Sequence, residues 1–432
     1  MRSCRTLAYG AVTTCAALAL PAAAQEGGVT QIYGTLNVDV ESVEARGATP
    51  AGTLPPGAMG TAPTGIDVPR RTRVTSNSSN LGFRGSERIS PQLSAFFQVE
   101  SAVNVDGGGT NIGSRNTAIG LEGPWGSLRV GQWDTPYKTL SGAVDPMYFT
   151  GIAYTGAISG TPGFGVGPTT IGAPATSADG RTFAAGPNAS FERRQGNSLQ
   201  YWSPQRAGVT ARLEHSVDEA KTSNASSLTH VDPRIWSASL EYAAGPIFLA
   251  YGYEAHDDYF GLDALVPAAQ ATPVSATGAA PAASSRDRGD KLVARVKAGG
   301  TTVGLIGERL RYAKSQSNAA AGAFSRYQRN AIALTLQQKV GAAGTLRGFV
   351  ARASRGSCAR FDGSACDTSG LGARQASLGY SYTFSRRTDA YLFYTHVAND
   401  ERATYQFANA AGIGAAAGAA NAAYLLGLRH TF

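Results

Sequence analysis

The sequence predicts an all-β protein, a transmembrane antiparallel up-and-down β-barrel of about sixteen strands. Three observations lead to this fold class. Apolar and polar residues alternate along many segments. Short turns also alternate with long connections rich in Gly, Ala, Pro and Ser. Beyond the first residues, no apolar run suits a membrane helix, since the nearest candidate, residues 410–428, is mostly Ala and Gly and carries Asn421.

The alternation is clearest near the start of the chain. In "IYGTLNVDVE", residues 32–41, every second residue is apolar or Gly, and the residues between them include Asp39. Residues 92–105 and 376–384 repeat the pattern. A strand places successive side chains on opposite faces, so each segment has one apolar and one polar face. Any antiparallel sheet with one wet face could show this, so the connections are needed to choose the fold.

The connections fall into two classes that succeed each other along the chain. Short turns are predicted at 88–91, 123–126, 203–208, 243–246, 297–301, 341–345 and 385–388. Long stretches occupy 45–72, 134–195, 257–289 and 400–420. Tight turns on one rim and long loops on the other are the plan of an outer-membrane barrel. The strands are then expected near 29–41, 73–88, 92–105, 115–123, 126–133, 196–204, 207–217, 234–244, 246–256, 290–299, 301–312, 327–340, 343–354, 372–385, 388–399 and 421–432.

A closed barrel settles which face of each strand meets lipid. A charge on the lipid face near the bilayer midplane costs about 2–4 kcal/mol. The charged residues that alternate with apolar ones should therefore point inward, among them Asp39, Glu100, Arg212 and Arg295. A barrel of about sixteen strands leaves room for an aqueous channel, whereas about eight strands would be filled by side chains.

The chain ends in "NAAYLLGLRHTF", with Phe432 as its last residue. Counting back, apolar residues and His430 share its face, while Arg429 lies on the other. Outer-membrane barrels carry girdles of aromatic residues at both interfaces. We therefore expect Phe432, Tyr382 and Phe384, each near a short turn or the chain end, to lie in the periplasmic girdle, together with Tyr242.

Residues 1–24 are predicted to be a secretory signal peptide, with the mature chain, 25–432, as a single barrel domain. Arg2 and Arg5 precede an apolar core, and "PAAAQ" offers a cleavage site. An amino-terminal membrane anchor is the alternative. The net charge of +8 suits a nucleic acid, an anionic membrane surface or an anionic solute as partner. Export of the protein argues against nucleic acid and leaves the other two.

Four cysteines occur in the chain, and two of them lie in the predicted leader. The other two, Cys358 and Cys366, are closely spaced in a polar stretch of an exported protein. Such a pair predicts a disulfide. Without a nearby His, they do not make a zinc site.

In this order the segments resemble a Gram-negative general diffusion porin, of the branch typical of betaproteobacteria. The resemblance covers nearly all of the mature chain and rests on "VTQIYGTLNVDVE", "NLGFRGSERISPQLSAFFQVES", "RNTAIGLEGPWGSLRVGQWDTP", "NSLQYWSP", "LGYSYTFSRRTDAYLFY" and "GLRHTF". It implies a homotrimer of sixteen-stranded barrels, each narrowed by an infolded third extracellular loop, here about 134–195. It also implies that the outer-membrane assembly machinery reads Phe432. Two departures, Asn80 and Gln132 where the family often has Arg, remove expected wall charge.

The resemblance implies a passive channel for small hydrophilic solutes and ions, with a mild anion preference, in contact with outer-membrane lipid and lipopolysaccharide. Pore selectivity arises from diameter and from the field of facing charges. By strand phase the lumen receives Arg84, Arg129, Arg212, Arg295 and Arg429, facing Asp39, Glu100, Asp134 and Asp145. Arg84 and Arg129 lie in the matching motifs, and Arg129→Glu is expected to shift selectivity toward cations. Arg115 shares the face of Ile119 and is left out.

No pattern in the sequence indicates a cofactor, a metal site or enzymatic chemistry. The five histidines lack metal-ligand spacing, and neither a G-x-S-x-G elbow nor a Walker loop is found. Three alternatives stay open: an adhesin or receptor that uses its long loops, an outer-membrane enzyme such as a barrel phospholipase or protease, and a soluble periplasmic sandwich.

Overall fold

The computed structural model describes residues 30–164, 189–217, 232–266, 283–316, 319, 321–407 and 414–432. The predicted signal peptide, 1–24, lies outside the described residues. Among the helices of the described ranges, none has the length and apolar character to cross a membrane. The chain is instead built from β-strands joined in a single sheet.

Within the described ranges nineteen strand segments form this sheet, and three of them continue a neighbour across an irregularity, so the barrel wall has sixteen strands. The continued pairs are β2 with β3, β5 with β6, and β15 with β16. The strands are β1 (Gln31–Arg46), β2 (Val68–Ser76), β3 (Asn80–Ser90), β4 (Leu93–Val103), β5 (Thr110–Asn111), β6 (Thr117–Gly123), β7 (Gly126–Asp134), β8 (Arg194–Trp202), β9 (Val209–Val217), β10 (Arg234–Ala244), β11 (Ile247–Asp257), β12 (Ala283–Ala298), β13 (Thr301–Gln316), β14 (Phe324–Val340), β15 (Gly344–Ala353), β16 (Ser357–Arg360), β17 (Ala373–Ser385), β18 (Thr388–Asn399) and β19 (Ala420–Thr431).

The sheet closes on itself without an edge. Strand β1 pairs antiparallel with β2 and β3 on one side and with β19 on the other. At the seam, Gly34 N donates to Phe432 O at 3.2 Å, and Phe432 N donates to Gly34 O at 3.0 Å. The last residue of the chain is therefore a hydrogen-bonded part of the wall, and none of the strands that the structure describes is left unpaired for aggregation.

The predicted strands and short turns are confirmed, but two strands begin earlier than expected, and the first of them, β2, begins at Val68 within the predicted loop 45–72. All seven short turns lie on one rim of the barrel. The start of β1 and the end of β19 lie on the same rim. Strand β12, however, begins at Ala283, within the stretch 257–289 that was expected to be a loop. The segment "ASSRDRG" is polar on both faces and lacks the apolar signal of a membrane strand. It is strand because its inward face meets loop residues, and buried Asp287 accepts from Gly261 N at 2.9 Å.

The predicted faces are confirmed as well. Along β1, Leu36 and Val40 are exposed, whereas Asn37, Asp39 and Glu41 are at most 1% exposed. The same division runs around the barrel, where exposed large apolar side chains face outward and most charged ones face the interior, although some arginines near the loop ends of strands, such as Arg309 and Arg352, also face outward. The hydrophobic surface therefore forms an outer belt suited to lipid.

Aromatic side chains mark the turn-side margin of this belt. Tyr382 and Phe384 face outward with ring centroids 5.2 Å apart, and Tyr242 is exposed near its own turn. Phe432 faces outward too, and its ring covers Gly34. These positions suit rings that lie at the level of lipid headgroups.

Gly34 is required for this closure, since a Cβ there would stand 2.6 Å from the Phe432 ring and 2.7 Å from Asn80 O. We expect Gly34→Val to displace Phe432 and weaken the seam, so that less barrel survives warming in SDS. The measurement is the shift between folded and unfolded bands on gels run without boiling. Gly307→Val is the matched control, because a Cβ there meets its nearest neighbour only at 3.9 Å. Equal heat resistance of both variants would contradict the role of Gly34.

Candidate pore and its infolded loop

The lumen is narrowed by the chain between β7 and β8, residues 135–193, called the infolded loop here. Its described part opens with helix α1 (Pro136–Val144), whose N-cap Thr135 accepts from Lys138 N at 3.3 Å. The neck is closed by Thr135 N donating to Arg193 O at 3.3 Å. Residues 165–188 lie outside the described part.

Wall side chains hold the outgoing leg of the loop through its backbone carbonyls. Thr335 Oγ1 donates to Val144 O at 2.8 Å, and Arg347 donates to Pro146 O at 2.8 Å. Further along, Asn37 Nδ2 donates to Phe149 O at 2.8 Å. These bonds lie on β14, β15 and β1. The leg therefore crosses the inner wall from β9, where α1 starts its contacts, to β1.

The returning leg is held in the same way. Gln375 Nε2 donates to Tyr154 O at 3.0 Å, and Arg329 donates to Ile158 O at 2.7 Å. Tyr312 hydroxyl donates to Ala189 O at 2.5 Å. Because both legs lie on the wall from β9 round to β1, the open part of the lumen lies between the loop and strands β2–β8.

A buried ion network fixes the loop at its centre. Lys291 Nζ lies 2.5 Å from a Glu192 carboxylate oxygen and 2.7 Å from Ser141 Oγ, both in the loop. Glu308 accepts from the Tyr137 hydroxyl at 3.0 Å and from Gly160 N at 2.9 Å. Lys291 and Glu308 are fully buried. Sequence reasoning missed both, although each is a charged residue on the inward phase of a predicted strand.

Arg129 and Arg212 lie on the inward face of β7 and β9, as expected, and share an aromatic partner. The Arg129 guanidinium lies 3.7 Å from the Trp202 ring centroid and 4.6 Å from that of Trp133. The Arg212 guanidinium lies 4.2 Å from the same Trp202 ring centroid, and Arg212 pairs with Glu241 at 3.3 Å. Arg129 is only 8% exposed. A glutamate there would lose these ring contacts, so Arg129→Glu tests wall packing together with selectivity.

Arg295 and Arg429 both lie at the turn side of the lumen, beneath the loop. A cavity of about 420 Å³ there is lined by Arg295, Lys297 and Arg347. Arg347 and Arg429 lie on the Phe149 ring, each 5.4 Å from its centroid. Arg295 donates to a loop carbonyl, as Arg347 does. Arg295, Lys297, Arg347 and Arg429 form what we call the vestibule cluster.

Arg84 lies apart from the vestibule cluster, at the turn end of β3. It donates to Gln31 Oε1 at 2.9 Å and covers the Tyr33 ring at 5.0 Å. The Tyr33 hydroxyl in turn donates to Glu100 at 3.1 Å. Arg84 and Glu100 thus share one inward surface, linked through Tyr33.

The placement of Arg115 on the outward face is wrong. Its guanidinium lies 2.5 Å from Glu100 Oε1 on the inward face. Residues 112–116, between β5 and β6, are turn and bend, so the alternation counted back from Ile119 does not hold across them. Arg115 therefore neutralises Glu100, one of the acids predicted to face the lumen arginines.

The other predicted acids are engaged in local contacts. Asp134 pairs with Lys138 at 2.7 Å and with Arg194 at 3.1 Å, at the neck of the loop. Asp39 is 1% exposed and accepts from the Tyr391 hydroxyl at 3.1 Å. Among the residues described, no group of three or more His, Cys, Asp or Glu side chains could hold a metal ion.

Asp145 serves the internal structure of the loop. Its carboxylate accepts from Met147 N at 2.8 Å and from Thr155 N at 2.7 Å. Burial raises the pKa of Asp145 to about 6. Its negative charge therefore weakens at mildly acidic pH, and it adds little to the field of the lumen there.

Loops on the opposite rim form a cap over part of the mouth. Cys358 and Cys366 are joined in a disulfide, with Cα atoms 5.9 Å apart. Nearby, Met59 N donates to Asp367 O at 2.9 Å, and Arg402 donates to Asp367 Oδ2 at 2.8 Å. The loops after β1, β16 and β18 are therefore connected to one another.

The cap should loosen when Arg402 is lost. Hydrogen bonds from Ser369 and the Arg402 guanidinium lower the pKa of Asp367, so this contact is present above the ordinary carboxyl pKa of about 3.9 and is lost as pH falls through the lowered value. At pH 7 we expect Arg402→Ala to speed proteolytic cleavage within 354–372 several-fold. Arg355→Ala, in the same loop, is the control. Equal cleavage rates for the two variants would contradict the assignment.

Comparisons with known proteins bear on the whole arrangement. A sequence model of the family described as "Gram-negative porin" matches residues 11–402. "Major outer membrane protein P.IA" of Neisseria meningitidis is 42% identical over 77 residues, which are 18% of this chain and 20% of that protein. "Major outer membrane protein P.IB" of the same species is 27% identical over 246 residues, 56% of this chain and 58% of that protein. The matched region thus spans from a fifth to just over half of these curated relatives.

Solved structures share the fold at low identity. The "Anion-selective porin from Comamonas acidovorans" aligns with a TM-score of 0.66 and 18% identity, covering 94% of this chain and 100% of that one. OmpT of Vibrio cholerae, in a structure titled "trimer form", aligns with a TM-score of 0.58 and 14% identity, covering 94% of this chain and 100% of that one. At such identities the likeness supports the barrel fold alone.

Proposed function

We propose, from the premise that the chain belongs to the Gram-negative porin family, that it forms a water-filled outer-membrane channel for passive diffusion of small hydrophilic solutes and ions. The proposal includes a mild preference for anions. No covalent step is part of it, so the protein is not expected to act as an enzyme.

One observation carries the anion preference: the vestibule cluster places four cationic side chains in the part of the lumen below the loop. Arg295 and Arg347 bind carbonyl oxygens of the loop, which leaves their charge uncompensated by those partners. Asp389 is the cross-strand neighbour of Arg429 and offsets part of the charge. The predicted acids, in contrast, are paired, buried or used within the loop.

The cluster acts through its field, since a channel selects by diameter and by the charges that line it. Arginine is suited to this role because it stays charged and is less strongly hydrated than lysine. A positive region raises the local concentration of anions. Salt screens this attraction, with a Debye length of about 10 Å at 0.1 M. The preference should therefore be strongest in dilute electrolyte.

Reversal potentials in planar bilayers test the proposal. A gradient of potassium chloride should give the sign of an anion-preferring pore. Replacing chloride by a large organic anion should reduce the current more than replacing potassium by a large organic cation. Equal or opposite effects would contradict the anion preference, and hydrolysis of esters or peptides by the purified protein would contradict a passive channel.

We further propose that the barrel assembles as a homotrimer in outer-membrane lipid. The OmpT structure titled "trimer form" supports this for a barrel of the same fold. Phe432, fixed at the seam beside Gly34, is proposed as the residue that the assembly machinery reads. Native mass spectrometry of protein extracted in mild detergent tests the trimer, and a stable monomer at membrane-like concentrations would contradict it.

A further inference from the structure

On the outward face of the barrel, two arginines stand side by side. Arg352 of β15 and Arg374 of β17 are direct cross-strand partners, and both are exposed. Like charges in this position destabilise a sheet. Within the described residues, neither side chain forms an ion pair or a side-chain hydrogen bond. The arrangement is therefore one that an external anion would stabilise.

Two other outward arginines of the same wall, Arg309 and Arg311, have partners within the protein. Arg288 and Arg311 are also direct cross-strand partners, but Arg311 pairs with Asp290 at 3.3 Å. Arg309 donates to Gln328 at 3.1 Å. Arg352 and Arg374, called the arginine pair below, differ in having no such carboxylate or amide partner among the residues described.

The arginine pair lies at the upper margin of the apolar belt. Below it on the same face lie Val350, two residues from Arg352, and Leu378, four residues from Arg374, which are 57% and 64% exposed. Arg352 is eight residues from Gly344 at the turn, about 26 Å along a strand. With a strand tilt of about 40°, this becomes a height of about 20 Å, close to the extracellular edge of an apolar band that is about 25 Å tall.

A shallow apolar strip continues from the pair toward the middle of the belt. The cross-strand partners Gly348 and Leu378, and above them Val350 and Ala376, combine large with very small side chains. The Leu378 side chain covers Gly348, and Val350 stands beside Ala376, so the strip is a continuous apolar surface. An acyl chain can lie along this strip. The arginine pair and the strip therefore face a single ligand that has an anionic head and a hydrocarbon tail.

We propose that the arginine pair binds a phosphate group of a phosphorylated glycolipid in the outer leaflet, whose acyl chain lies on the strip below. Two guanidinium groups offer planar, bidentate donors that match phosphate geometry. Their height places them where headgroups begin, and arginine side chains extend toward that level. A second copy of the chain presenting the same pair would meet like charge, which disfavours this face as a subunit contact.

Native mass spectrometry of the full mature chain tests the site. The protein is titrated with bis-phosphorylated lipid A, with the same lipid stripped of its phosphates, and with phosphatidylglycerol. We expect wild type to bind the bis-phosphorylated form most tightly. The double variant Arg352→Gln with Arg374→Gln should bind it about thirtyfold more weakly, since each cation near an anionic lipid contributes a separate increment.

The double variant Arg386→Gln with Arg387→Gln is the matched control, because it removes two exposed arginines at the opposite rim. It should bind as wild type does. Conductance should be unchanged in both double variants, which shows that each barrel is folded. Three results would overturn the proposal: equal lipid binding by both double variants, equal binding of the dephosphorylated lipid or of phosphatidylglycerol by wild type, or loss of oligomers in place of lipid when the arginine pair is removed.

Discussion

Glu308→Ala will release the infolded loop and raise the single-channel conductance. The glutamate accepts from Tyr137 and Gly160 of the loop, and its carboxylate lies 3.4 Å from Arg329 and 3.8 Å from Lys291, all three side chains being fully buried. Removing one partner of a buried ion network costs about 3–5 kcal/mol, because the remaining charges stay uncompensated. Loss of this contact should detach the loop from the wall. Recordings should show a larger and noisier open current.

Two control variants separate loop release from general damage. Glu308→Gln keeps an acceptor for Tyr137 and Gly160, so its conductance should lie between those of wild type and Glu308→Ala. Glu87→Ala removes an exposed carboxylate at the turn end of β3 and should leave the current unchanged. A quiet, wild-type current in Glu308→Ala would show that the loop does not depend on this network.

Arg347→Glu combined with Arg429→Glu will turn the channel from anion preference to cation preference. The two guanidinium groups flank Phe149 in the lumen, so the exchange changes the local charge by four units beside the path of the ions. Fields of this kind alter local ion concentrations by an order of magnitude or more, and we expect the permeability ratio to change by roughly tenfold. Reversal potentials in dilute potassium chloride measure it.

The control for this exchange places the same charges outside the barrel. Arg309→Glu with Arg326→Glu changes two exposed arginines of the outward wall by the same four units. Its reversal potential should match that of wild type at moderate salt, since lipid-side charges lie beyond the barrel wall. Equal shifts in the two double variants would show that net charge, and not the vestibule cluster, sets the preference.

The wall of the barrel could be predicted from the sequence because two regular patterns agree there. These are the alternation of apolar and polar residues and the succession of short turns and long loops. Alternation such as that of residues 32–41 places one face in lipid, and a misplaced charge on that face is costly. The same rule put Asp39, Arg212 and Arg295 on the inward face, where the structure has them. The turn positions could be predicted as well, because the tight turns are much shorter than the loops.

The site was less accessible from the sequence, since its contacts join segments far apart in the chain. Lys291 meets Glu192 and Ser141 only because the loop folds back against β12. The local alternation of residues does not predict where a long loop will fold. Arg115 was misplaced by a turn that interrupts the alternation. Asp145 is a loop-organising acid, which becomes visible only with its partners Met147 and Thr155.

The central claim is that the sealed cylinder encloses a continuous column of water. Single-channel recording of the purified wild-type protein in a planar bilayer tests it most directly. We predict stepwise insertion of open channels whose conductance rises with electrolyte concentration, with a reversal potential of anion-preferring sign. Barrels that insert into the bilayer but pass no current would contradict the claim.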